Sequence, residues 1–158
     1  LYVWSQEALL VCLGIIVVLL ASLAFINIKL QKVDSMTEFW LVKAPFGLYF
    51  GWVTAATILN AAIALVSLNV QVGDSTAVAL GAGLMLVAAA LGVIIRIKLT
   101  NYFYPLAVAW ALTAIAVKQS GTTLIVAAGA VGVIACLIAA MSFVMNLPSS
   151  EDKVETGA

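Results

Sequence analysis

The chain has 158 residues, of which 65% are hydrophobic and only 9% charged, against roughly 25% charged in ordinary soluble domains. Its seven basic and seven acidic residues cancel, leaving no basic surplus for a polyanion, so DNA and RNA are excluded as partners. A mean hydropathy of +1.22 describes an integral membrane protein, and the absence of histidine removes the commonest metal ligand and the usual general base.

Five uncharged runs, at about 8–28, 44–72, 75–95, 99–117 and 120–147, reach or approach the roughly 20 residues needed to cross a bilayer. They predict an all-α, multi-pass transmembrane bundle with five spans. The first run follows Leu1–Gln6, which lacks the basic region of a signal peptide, and it is itself long enough to span. A start at Leu1 without Met points to processing or truncation.

After a connection from Lys29 to Lys43, the second run approaches 30 residues, or about 45 Å as a helix, so it must tilt, kink or project into the headgroup layer. Pro45 fits its first turn. Pro45, Tyr49, Trp52, Ala56 and Asn60 recur every three or four residues and share one face, with Thr57 alongside. Two readings of that face stay open. Trp52, Thr57 and Asn60 line a pocket for an amphipathic ligand, Trp52 as a stacking surface and Asn60 as a paired donor and acceptor; or they bond a neighbouring helix as interhelical glue.

Gly73-Asp74-Ser75 opens the third run, with Asp74 or Ser75 as the expected N-cap. Gly81-x-Gly83 lies inside this apolar helix with no strand before it, so it is packing rather than a dinucleotide fingerprint. Arg96 to Asn101 connects to the fourth run, where Thr100 or Asn101 is the expected cap. Pro105, Trp110 and Thr113 faintly echo Pro45 through Ala55, which a composition this rich in Ala and Leu accounts for by coincidence. The fifth run carries small residues, Ala128, Gly132, Ala135 and Ala139, at three- and four-residue intervals; such a stripe lets backbones approach closely and is expected to pack on another helix, as are Ala88 and Gly92. Pro148 stops the fifth helix, and the polar, acidic residues 149–158 read as a loose tail.

Trp4, Trp40, Tyr102 and Tyr104 sit beside run ends and read as membrane-interface anchors, whereas Tyr49 and Trp52 lie deeper. Cys12 and Cys136 fall inside apolar runs and read as small buried hydrophobes. Lys29, Lys32, Lys43, Arg96, Lys98 and Lys153 fall on one side of the expected topology and only Lys118 on the other. That bias predicts a cytoplasmic C-terminus, or one facing the matrix or stroma in an organelle. None of the five runs holds an Asp, Glu, Lys or Arg, which argues against ion translocation and against an enzyme.

Trp52, Ala56, Thr57 and Asn60 reproduce a Trp-x-x-x-Ala-Thr-x-x-Asn pattern, and with the lead-in from Phe39 to Gly51 they resemble the last core helix of the translocator protein/tryptophan-rich sensory protein family, TspO/MBR. Many members place a proline four residues before this tryptophan, where the chain has Leu48, with Pro45 three residues further upstream. The resemblance implies that 1–73 are the last helices of a TspO/MBR-like core whose earlier helices are absent, and that 74–148 form the C-terminal membrane extension of larger members. It also implies binding of a tetrapyrrole such as porphyrin or haem, or of a sterol-like lipid, through Tyr49, Trp52, Ala56, Thr57 and Asn60, in a sensory or transport role. Haem ligation gains no support from the residues, since histidine is missing and no Cys or Met stands out as an axial ligand. The alternative is a structural or accessory subunit packed against other subunits of a larger membrane complex.

Overall fold

A computed structural model describes residues 2–30, 36–67 and 73–145. Five long helices carry the chain: α1 (Tyr2–Lys29), α2 (Ala44–Ser67), α3 (Asp74–Leu99), α4 (Phe103–Lys118) and α5 (Thr123–Met145), with no strand among the described residues. The spans Val11–Lys29, Phe39–Ala64, Asp74–Leu99 and Thr123–Ser142 are long and apolar enough to cross a membrane. α4 is apolar but has only 16 residues, about 24 Å. The stop expected at Pro148 and the tail lie outside the described residues.

The helix ends are set by particular residues. The second run does not begin at Pro45: a turn at Met36–Glu38 and a π-helical turn at Phe39–Lys43 lead into α2 without a break. Proline has no N–H to give the carbonyl four residues back, and its ring crowds that carbonyl. The chain answers by winding one residue wider, so that the Ala44 N–H donates to Phe39 O. Lys43, expected in a connecting loop, is thereby carried inside the helical segment and buried.

At α3 the expected cap is displaced by one residue. Gly73 is the N-cap and accepts from the Thr76 and Ala77 amides at 2.9 Å each, while Asp74 stands in the first turn, where its charge suits the helix dipole. Thr100, at φ 48°, ends α3 in the left-handed region that β-branched residues seldom occupy. The reversal delivers Asn101, whose Oδ1 accepts from the Phe103 and Tyr104 amides at 3.1 Å each, the capping role expected of it. This early reversal and cap explain why α4 starts late and is short.

Helices joined by short links are not always packing neighbours. α1 packs on α2, α2 on α4, and α3, α4 and α5 on one another, while α2 and α3, though consecutive, scarcely touch. Glycines decide where backbones come close. A Cβ on Gly51 would lie 2.5 Å from Tyr104 O and 2.9 Å from the Ala107 methyl, so only glycine admits α4 at this distance. The small-residue stripe of α5 packs within the chain: a Cβ on Gly132 would lie 2.8 Å from a Leu112 methyl and 3.1 Å from Ala89, and one on Gly129 2.8 Å from Ala116. From α3, Gly92 meets the Cys136 sulfur in the same way. Cys136 is buried as expected, whereas Cys12 is exposed on α1.

One aromatic is misplaced by the sequence reading. Tyr104 is no interface anchor; it is fully buried against Phe50, with ring centroids 4.8 Å apart. The cap at Asn101 points the next residues of α4 inward, and Gly51 leaves the room. Trp40, in contrast, is exposed and packs edge-on with Phe39 and Phe103, as an interface residue does.

Candidate ligand site

Two polar constellations and one cavity stand out, at different heights in the bundle. At the end where α1 finishes and α2 and α4 begin, Asn101 Nδ2 donates to Asn27 Oδ1 at 2.7 Å, both residues being buried. Asn27 Nδ2 donates in turn to Leu23 O at 2.9 Å and to Phe46 O at 3.4 Å. Gly47 lies under the pair, where a Cβ would stand 2.7 Å from Asn101 Nδ2. The amides thus tie three helices together with their donors and acceptors matched, which is what a low-dielectric interior demands. Sequence reasoning assigned Asn101 only a capping role and passed over Asn27, an amide inside an otherwise apolar helix.

Lower in the same α2–α4 seam, the buried Tyr104 hydroxyl has no hydrogen-bond partner among the described residues. Thr54 lies beside it; its own proton goes to Phe50 O at 2.9 Å, which leaves the Thr54 oxygen as an acceptor facing the Tyr104 hydroxyl.

The face chosen from helical spacing is placed as follows. Tyr49 and Trp52 are about half exposed, at 47% and 52%, and look away from the bundle. Ala56, Thr57 and Asn60 are partly buried. Thr57 Oγ1 donates to Val53 O at 2.7 Å and Asn60 Nδ2 to Ala56 O at 2.8 Å, so both polar groups turn back on their own helix. The five residues therefore stay on one side of α2 but do not converge on a single point.

A cavity of about 320 Å³ opens beside that face, between α2, α3 and α4. It exists because α2 and α3 stand apart and the residues facing the gap are too small to fill it: Ala55 and Ala62 on α2, Ala77, Gly81 and Ala88 on α3, Ala111 on α4. Met85, Val108, Leu112 and Ile125 contribute apolar walls, and Gln119 and Thr122, at the turn from α4 to α5, supply the polar side chains. None of Tyr49, Trp52, Ala56, Thr57 and Asn60 lines it. The link to them is Leu59, which lines the cavity and stands seven residues from Trp52; two helical turns return nearly to the same direction, so Leu59 and Trp52 lie on the same side of α2. This volume falls in the range of small-molecule pockets. Among the described residues no three His, Cys, Asp or Glu side chains come together to hold a metal.

The model of one family, described as TSPO-like protein, matches residues 1–144 of the chain, from α1 into the last turn of α5. The chain belongs to the TSPO-like protein family. Its five apolar helices are thus those of a TSPO-like membrane protein, in keeping with the resemblance carried by Trp52, Ala56, Thr57 and Asn60. The match runs through both the 1–73 and the 74–144 stretches. No curated protein and no solved structure matches the chain. Among the described residues, the cavity beside α2 offers room for a small molecule.

Proposed function

We propose that this TSPO-like protein binds a flat or elongated hydrophobic ligand, of tetrapyrrole or sterol type, in the cavity between α2, α3 and α4, and that it acts as a sensor or carrier rather than an enzyme. The observation that carries this reading is the cavity itself: about 320 Å³, walled by Ala, Leu, Ile, Val and Met side chains, with Gln119 and Thr122 at one end. An apolar body gains from leaving water or lipid for such walls, while one polar group at the end of the ligand meets an amide and a hydroxyl. Because the gap between α2 and α3 is lateral, a ligand dissolved in the bilayer enters without crossing the headgroup layer. A ligand longer than the cavity lies along α2 beyond Leu59 and stacks on Trp52, which gives the exposed tryptophan its part in the site.

Quenching of tryptophan fluorescence by a porphyrin, with a sterol as competitor, tests the reading. Ala62→Phe fills the cavity and is expected to weaken binding about tenfold, corresponding to about 1.4 kcal/mol, with no loss of thermal stability. Trp52→Phe should reduce the quenching amplitude, and Trp110→Phe should not; Trp110 lies on α4 and is 72% exposed, so it reports non-specific partitioning. Equal losses from Trp52→Phe and Trp110→Phe, or no saturable binding of either ligand, favour the other reading, a structural or accessory subunit whose outward apolar faces meet partner subunits.

A further inference from the structure

Lys43 is the only Lys or Arg among the described residues whose side chain is buried, at 6% exposure. It reaches that position because the π turn before Pro45 carries it into the helical segment. Its ammonium stands 6.0 Å from the centre of the Phe39 ring. Phe39 packs on Trp40 and Phe103, with centroid distances of 5.7 and 5.4 Å, and Trp40 leaves 58% of its surface exposed at the edge of this group. No carboxylate among the described residues forms an ion pair with Lys43. Glu38, five residues earlier, is exposed, and Asp74 is at the opposite end of the bundle.

The stem of Lys43 is covered by protein while its ammonium still reaches the surface beside the Phe39 ring, as long basic side chains do near a membrane interface. A ring face matches only part of that charge. An anion beside the ammonium matches the rest. The rest of the bundle end is suited to one: Lys29, Arg96 and Lys98 terminate α1 and α3 at the same end, which the Asn27–Asn101 bond holds together. Arg96 is already engaged, donating from Nε to Ala139 O at 3.2 Å with its guanidinium 4.3 Å from the centre of the Tyr102 ring. Lys29 and Lys98 are exposed, where water screens them. Lys43 alone combines a charge with a stem held in place by the surrounding protein.

We infer that Lys43 and the Phe39–Trp40–Phe103 group form a site for a phosphate-type anion at the basic end of the bundle, filled in the bilayer by the headgroup of an anionic lipid. The lysine neutralises the phosphate, and Trp40 packs along the lipid at the level where headgroup meets acyl chain. The site is separate from the cavity between α2, α3 and α4.

The test uses the full chain in nanodiscs of phosphatidylcholine, of phosphatidylcholine with phosphatidylglycerol, and of phosphatidylcholine with inorganic phosphate in the buffer. Retained lipid is counted by native mass spectrometry and stability followed by thermal unfolding. The parent should retain phosphatidylglycerol and melt higher with it. Lys43→Met, which keeps length and apolar bulk, should retain about fivefold less while melting at least as high as the parent in phosphatidylcholine alone. Lys98→Gln should retain nearly as much as the parent. If inorganic phosphate raises the melting temperature as much as phosphatidylglycerol, and does so through Lys43, the anion site stands and its lipid source is overturned. Undiminished retention by Lys43→Met, equal losses from Lys43→Met and Lys98→Gln, or no response to either anion overturns the site.

Discussion

An amide inside an apolar bundle either bonds its own helix or reaches for another, and the chain does both. Asn60 donates to Ala56 O one turn back, whereas Asn101 bridges to Asn27 and also receives two amides of α4. Removing them should have unequal effects. Asn101→Ala strips α4 of its cap and leaves Asn27 Oδ1 without its donor, which should destabilise the protein by about 1 to 3 kcal/mol. Asn60→Ala frees one carbonyl that already has its helical partner and should change stability by no more than about 0.6 kcal/mol. Thermal unfolding in detergent measures both, and equal effects would show that Asn60 also bonds outside α2. Helical spacing brought Asn60 to notice because it joins Tyr49, Trp52 and Ala56 on one face. That periodicity reports direction around an axis and is silent on what stands opposite, so the cavity-lining residues next to it, Ala55, Ile58 and Ala62, had no polar mark to single them out.

At the scale of the helix, small residues fix the distances. The stripe in α5 is legible because its spacing is regular, but its partners are supplied by α3 and α4, which no local pattern names. Gly132→Leu must displace the Leu112 and Ala89 side chains, 2.8 and 3.1 Å from where a Cβ would stand, and should destabilise by about 1 to 3 kcal/mol. Val131→Leu, one residue earlier on the exposed side, should melt like the parent. If both variants melt alike, the stripe faces lipid. The π turn before Pro45 and the burial of Tyr104 were not legible for a related reason. Proline announces a disturbed helix without saying whether the chain ends, kinks or winds wider, and Tyr104 is drawn inward by Gly51 on another helix. Length told more than detail here: four of the five apolar runs became helices long enough to span, and the fourth is shortened by the reversal at Thr100.

For the whole molecule, the alternation of helices sets Lys29, Lys43, Arg96 and Lys98 at one end and Asp74 and Lys118 at the other. The cavity lies in the second half, since it is lined by the last part of α2, the first part of α3 and the end of α4. Function at that site therefore depends on which way the bundle is inserted. Positive charge favours the cytoplasmic side, so the Asn27–Asn101 tie and Lys43 should face the cytoplasm and the cavity the opposite leaflet. Single cysteines introduced as Lys29→Cys, Asp74→Cys and Lys98→Cys, in a chain with Cys12 and Cys136 changed to Ala, report this in sealed, right-side-out vesicles. A membrane-impermeant thiol reagent added outside should label the Asp74→Cys protein, and reach Lys29→Cys and Lys98→Cys only after the vesicles are opened. Labelling of all three from outside would mean that neither α2 nor α3 crosses the membrane. The reverse pattern, with Lys29→Cys and Lys98→Cys labelled and Asp74→Cys protected, would place the cavity in the cytoplasmic leaflet, and a carrier or sensor working through it would then sample ligand from inside the cell.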